Sequence, residues 1–141
     1  MSEQTQQKMA IVLFSGTADK LQAAVTIISG AAAMGVSTHV FLTFWGLAAF
    51  RRDMAGVPAP MSPEYGELGV QMGKLMQTKG VPAWRDVLDM AIDVGEVHVH
   101  ACAMTADLLE LGKDDLDPVV EDLIGVGSFV EMTRDAQTFF I

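Results

Sequence analysis

One cysteine, Cys102, in a chain of 141 residues leaves no partner for an internal disulfide. The stapled scaffolds of small secreted domains are thereby excluded, and a reducing cytoplasm is the expected setting for a free thiol. Basic residues are also scarce, with nine Lys and Arg against 18 Asp and Glu and a net charge of -9. Neutralising a phosphate backbone requires clustered cations; these are scattered, so nucleic acid is not an expected partner. Neither G-x-x-x-x-G-K-[ST] nor G-x-G-x-x-G occurs. Ser15-Gly16-Thr17 is therefore read as a tight turn in which Ser15 and Thr17 cap the next helix, and not as a phosphate loop. Met1 to Gln7 is polar and lacks the charged-then-apolar layout of a secretory leader. No Asp, Glu, Lys or Arg falls between Lys20 and Arg51. That run exceeds the roughly 20 residues a bilayer requires, yet Gly30, Gly35 and the β-branched stretch beyond divide it into a helix and a buried strand. A membrane span is not expected.

What the chain does have is apolar material: half of its residues are hydrophobic, enough for one continuous core. Lys8 to Phe14 is a short apolar run and reads as a first buried strand. Ala18 to Met34 reads as a helix stopped by Gly35, and Val36 to Thr43 as a second strand. Two strands joined through such a helix run parallel. Phe44 to Leu47 opens a short helix ending near Arg51 to Asp53, with Phe41, Phe44, Trp45 and Phe50 expected mainly in the core. Residues 54–82 change texture, carrying Pro58, Pro60, Pro63 and Pro82, several glycines and scattered methionines. Within them Glu67 to Thr78 has helical spacing, and the segment reads either as an excursion that covers a site or docks a partner or as a loop with one packed helix. Trp84 to Val94 is an amphipathic helix closed by Gly95. Asp114, Asp115 and Asp117 read as a solvated lead into helical pieces at Pro118 to Leu123 and Ser128 to Ala136, followed by a terminal strand at Thr138 to Ile141.

The stretch from Glu96 to Asp107 organises the rest. Val97, Val99 and Ala101 alternate with His98, His100 and Cys102, so a strand would place the first three on one face and the last three on the other. A helix should open near Thr105 as N-cap and run to about Leu111, where Gly112 ends it. The thiol then lies at a carboxyl strand end, where ligands bind in open α/β sheets. Cys102 is the candidate nucleophile, with small buried hydrophobe as the alternative. Thr43, Phe44 and Trp45 lie on the same rim. Zinc at His98, His100 and Cys102 would need a further ligand, and His39 is the remaining histidine. The histidines are instead read as facing a helix or subunit boundary, one of them tuning the thiol. No metal and no cofactor are expected.

The opening KMAIVLFSGTADK, the FLTFWGL of the second strand, the AC-x-MT-x-D around the thiol and the closing GVGSFVEM…FFI together resemble the DsrE/DsrF-like family of sulfur-relay proteins. The resemblance covers nearly the whole chain. It implies one α/β domain over residues 1–141, flavodoxin-like, with a mainly parallel sheet of about five strands and helices on both faces. It further implies homo-oligomers, a trimer before a hexamer, and a cysteine carrying sulfane sulfur as a persulfide, which maps onto Cys102. Sulfur-donor and sulfur-acceptor proteins are the implied partners. Ser15, Gly16, Thr43, Phe44, Trp45, Met104 and Thr105 are expected to wall the pocket, with His98 and His100 tuning the thiol. The alternative function is a noncatalytic oligomeric module that docks a sulfur-trafficking or redox partner through residues 54–82. A thiol peroxidase is disfavoured, because the Thr and Arg setting of a peroxide-reducing cysteine is missing around Cys102.

Overall fold

The computed structural model describes residues 6–141; the leader reading at the N-terminus falls mostly outside them. Five strands form one all-parallel sheet: β1 (Lys8–Leu13), β2 (Ser37–Leu42), β3 (Val97–Cys102), β4 (Val120–Ile124) and β5 (Gln137–Phe140), in the order β4-β3-β2-β1-β5. Six α-helices connect or flank them: α1 (Ala18–Ala33), α2 (Trp45–Ala49), α3 (Glu67–Thr78), α4 (Trp84–Val94), α5 (Ala103–Leu108) and α6 (Val126–Met132). The α/β class, the parallel sheet and helices on both faces are as expected. The apolar run between Lys20 and Arg51 resolves into most of α1, then β2 and α2. Among the described residues no helix is long and apolar enough to cross a membrane.

The two faces of the sheet carry different chemistry because side chains alternate along a strand. On one face Ile11, Leu13, Val40, Leu42, Val97, Val99, Ala101 and Val120 pack against Leu21, Ala24, Val25 and Ile28 of α1 and Leu88 and Ala91 of α4. Gly35, at φ 74, occupies the left-handed position after α1, and Val36 N–H reaches back to Ala31 O at 2.9 Å. The opposite face holds a smaller cluster, Ala10, Phe41 and Cys102, covered by Phe129 of α6. Phe41 and Phe129 stack with centroids 4.6 Å apart.

Three expectations change. Residues 118–123 do not form a helix: 120–124 are an edge strand parallel to β3. The register slips between Val99 and His100, so Val99 pairs with Val120 but His100 pairs with Asp122. Glu121 is the extra residue of a β-bulge. Second, the helix after β3 starts at Ala103 with Cys102 at its N-cap, so Thr105 lies inside the first turn. It ends at Leu108, not Leu111; Glu110, at φ 56, takes the left-handed position and Leu111 N–H bonds Ala106 O at 2.8 Å. Third, neither Ser15 nor Thr17 caps α1 with its side chain. The Ala18 N–H goes to Pro60 O at 2.8 Å, and Thr17 Oγ1 meets Ser62 Oγ at 3.0 Å. The 54–82 excursion thus closes over the start of α1.

Candidate functional site

The carboxyl ends of β1, β2 and β3 are knitted together by backbone contacts that only small residues permit. Gly46 N–H bonds Phe14 O at 2.9 Å, and a Cβ on Gly46 would lie 2.1 Å from Leu13 O. This close crossing forces Phe44 to φ 48, ψ -117, a region normally left to glycine, at a cost of about 1–3 kcal/mol. The strained residue is tied down at both ends. Its amide donates to Thr105 Oγ1 at 3.2 Å and its ring lies 5.6 Å from that of Phe14. Thr105 Oγ1 is also 3.1 Å from Thr43 Oγ1. Thr105, fully buried in the first turn of α5, therefore joins the β2 rim to the β3 rim.

Cys102 sits inside this junction with 4% of its surface exposed. The reachable thiol expected at the sheet rim is here buried in the small cluster that also holds Ala10, Phe41 and Phe129, with Ile124 and Met132 packed against that cluster. Burial pushes its pKa up, but the Thr105 hydroxyl and amide, the Thr43 hydroxyl and the Met104 amide act the other way. The balance leaves the thiol below its ordinary value. The threonines and the Met104 amide, not His98 or His100, are the groups acting most strongly on the sulfur.

The expected pocket residues divide into two groups. Thr43, Met104 and Thr105 carry the groups that lower the thiol's pKa, and Phe44 is bonded to Thr105. Ser15, Gly16 and Trp45 instead line a separate cavity of about 470 Å³ with Phe14, Lys20 and Trp84, and Cys102 is not on its wall. Trp45 is 65% exposed, so it is not the core residue its neighbours imply.

His98 and His100 do share a face with Cys102, and β2 adds His39, in register with His98. The His39 ring stacks on both, with centroids 4.9 Å from His98 and 5.3 Å from His100. Every ring is held by a neighbour. His98 Nδ1 meets Glu121 Oε1 at 2.7 Å and its Nε2 meets Glu96 Oε1 at 3.1 Å. His100 Nδ1 meets Asp122 Oδ1 at 2.7 Å, and His100 Nε2 meets His39 Nδ1 at 3.0 Å. Burial and the facing His98 and His100 lower the pKa of His39. Burial lowers that of His98 as well, but Glu96 and Glu121 outweigh it and raise the net value. Glu121 and Asp122 escape the sequence reading, because a helix was expected where they form a bulged strand. Asp117 is not the solvated carboxylate expected: Arg85 Nε and a terminal nitrogen clasp it at 2.7 and 2.8 Å, tying α4 to the approach of β4.

One five-stranded, all-parallel sheet with helices on both faces places the chain among small α/β proteins. The model of the DsrE/DsrF/DrsH-like family matches residues 5–64 and 60–141, and the chain belongs to that family. The uncharacterized protein YrkE of Bacillus subtilis is 34% identical over 92% of each chain. Sulfur carrier protein DsrE2 of Allochromatium vinosum is 27% identical over 93% of this chain and 95% of its own. Among solved structures, MTH1491 from Methanobacterium thermoautotrophicum, titled a protein of unknown function, superposes with a TM-score of 0.59. It covers 96% of this chain and 100% of its own at 17% identity, a likeness of fold.

Proposed function

We propose that this protein is a sulfur carrier that holds sulfane sulfur as a persulfide on Cys102 and passes it to a partner protein's thiol. The observation that carries the reading is a lone thiol at the end of β3 whose pKa lies below its ordinary value although it is buried. Thr105, Thr43 and the Met104 amide favour the thiolate against the opposing effect of burial. Family membership and the sulfur carrier among the relatives point to the same chemistry. The Cys102 thiolate attacks the terminal sulfur of a donor persulfide, forming a new S–S bond while the donor departs as its own thiolate. The acceptor's thiolate then attacks the outer sulfur, becomes the persulfide and restores Cys102. No net oxidation occurs, and one cysteine suffices because the other thiols belong to donor and acceptor.

Access runs past α6. This helix has seven residues, enters through Gly125 and carries Gly127 in its first turn, and Phe129 is its one buried residue. Its outward swing opens the thiol. Sulfur-donor and sulfur-acceptor proteins are the partners, the cytoplasm the setting, and a homo-oligomer, trimer before hexamer, the working form.

Incubation with inorganic polysulfide followed by intact mass measurement tests the reading. An added mass of one sulfur atom, removed by dithiothreitol and absent from Cys102→Ser, is expected. A native protein left unmodified, while the urea-unfolded chain reacts, overturns it. That result would favour the second reading, a noncatalytic module docking through residues 54–82. Its support is α3, which leaves Leu68 67%, Met72 51% and Leu75 50% exposed.

A further inference from the structure

Three residues expected beside the thiol, Ser15, Gly16 and Trp45, lie together elsewhere, on the wall of a cavity of about 470 Å³. Four segments close it. The turn from β1 into α1 supplies Phe14 to Thr17, α2 supplies Trp45, the excursion supplies Met54 and Pro60, and α4 supplies Trp84. Each is tied to a neighbour. Pro60 O accepts the Ala18 N–H at 2.8 Å, and the Ser62 amide and hydroxyl donate to Asp19 Oδ1 at 3.2 and 2.8 Å. The Trp84 ring tilts against the buried Phe50, with centroids 5.2 Å apart. The Trp45 carbonyl comes so near the turn that a Cβ on Gly16 would lie 2.5 Å from its oxygen. The cavity is thus preformed, and its volume falls within the range of about 300–1,000 Å³ usual for small-molecule sites.

Both tryptophans of the chain are on this wall. Phe44, strained at φ 48, is the N-cap from which α2 starts, so its backbone sets the place of Trp45, whose side chain is left exposed. Strain of this kind clusters at ligand sites. With Phe14, the two indoles offer three ring systems to a flat apolar ligand, and the exposed one is area that such a ligand would take out of water.

The polar side of the cavity is cationic. Lys20 and Arg51 line it, two of only nine basic residues in a chain of net charge -9, and among the described residues on its wall there is no Asp or Glu. Their partners stand off that wall: an Arg51 terminal nitrogen donates to Asp53 at 2.7 Å, and Lys20 Nζ is 3.5 Å from Glu64 Oε1. Both pairs are exposed, and such pairs are worth about 0–1 kcal/mol, so a bound anion can draw on the same cations.

We infer that this cavity binds a small organic anion with a flat aromatic body, its rings against Trp45 and Trp84 and its carboxylate or sulfonate served by Lys20 and Arg51. Cys102 is not on the wall, so the site stands apart from the sulfur-carrier reading.

Naphthalenesulfonate is the probe, titrated into the full-length, untagged protein by calorimetry and by proton–nitrogen NMR of the two indole N–H groups. One molecule per chain is expected, with both indole signals moving along a single saturation curve. Trp45→Ala should weaken binding at least tenfold, and Lys20→Gln combined with Arg51→Gln about tenfold. Neutral naphthalenesulfonamide should bind the wild type about tenfold more weakly than the sulfonate. Because Trp45, Lys20 and Arg51 expose their side chains, the urea midpoint of each variant should hold. Leu75→Ala, on the exposed face of α3, and Cys102→Ser should bind as the wild type does. Four outcomes overturn the proposal: no saturable binding, indole signals that stay fixed, affinity unaltered in Trp45→Ala, or a sulfonamide that binds as tightly as the sulfonate. A loss in Leu75→Ala equal to that in Trp45→Ala would move the probe to α3 and overturn it as well. Failure at the polysulfide assay leaves this result untouched, and the reverse also holds.

Discussion

The two faces of the sheet are built from the same five strands, yet they distribute polar groups in opposite ways. Under α1 and α4 the strands present Ile, Leu, Val and Ala to helices of 16 and 11 residues, and the contact is dry and continuous. Under α6 one phenylalanine joins a small cluster that includes the thiol, and beyond it three imidazoles and their carboxylates take the place of apolar packing. The first face makes the fold stable; the second gives up burial in order to hold reactive groups. Substitutions on the two faces should therefore differ in kind: global stability falls on one, local chemistry changes on the other.

The largest effect belongs to the first face. Leu42, fully buried on β2, packs in the main core. Leu42→Ala should cost about 3–5 kcal/mol in urea unfolding, the transfer of a buried side chain plus the cavity it leaves. Thiol reactivity in the native state should change little. A loss below about 1 kcal/mol would mean that this face is not the main source of stability.

On the other face, Phe129→Ala removes the one buried residue of α6 from the cluster that holds Cys102. The cost should be smaller, about 2 kcal/mol, because a seven-residue helix can swing out without unfolding the sheet. Alkylation of Cys102 by iodoacetamide in the native protein should quicken by about tenfold or more, the equivalent of about 1.4 kcal/mol of easier opening. An unchanged alkylation rate would place the route to the sulfur elsewhere.

How legible each face was follows from the same contrast. Alternation in Val97-His98-Val99-His100-Ala101-Cys102 announced a strand and assigned its two faces, because strand period and sequence agree. The helices at Glu67 to Thr78 and Trp84 to Val94 were equally plain. Residues 120–124 misled, since the bulge moves the apolar positions to Val120, Leu123 and Ile124, which is helical spacing. With the strand hidden, the pairing of Glu121 and Asp122 with the histidines was hidden too. Phe44 gave no signal either: its positive φ comes from the crossing of β1 and β2 ends at Gly46, a tertiary demand that a phenylalanine does not advertise. The thiol itself was legible from its place at a strand end, but not its burial, which depends on where α6 crosses.

A smaller effect isolates the Thr105 hydroxyl from the packing of α6. Thr105→Val keeps the shape but deletes a hydroxyl that faces the sulfur and accepts the Phe44 N–H. The stranded amide should cost about 1–2 kcal/mol. At fixed neutral pH, polysulfide should load Cys102 severalfold more slowly than in the wild type, followed by intact mass against time. Loading at the wild-type rate would remove Thr105 from the groups that activate the thiol.

The smallest effect lies at the border between the faces, where β4 leaves the main core. Burial alone would raise the Asp117 pKa, but the two bonds from Arg85, the Val119 amide and the charges of Arg85 and Arg52 prevail and hold it below the ordinary carboxylate value of 3.8. A group whose pKa is depressed by folding stabilises the native state above its unfolded pKa. That stability is lost as pH falls from about 5 through 3.8 toward the lower native value, because the unfolded chain then takes up the proton first. Arg85 and Asp117 are partly solvated, so screening trims the contribution to about 1 kcal/mol. Unfolding free energies measured in urea between pH 6 and pH 3 should fall less steeply for Asp117→Asn than for the wild type, with the two curves converging at the acid end. Parallel curves would show that the clasp between α4 and β4 does not couple the border strand to the main core.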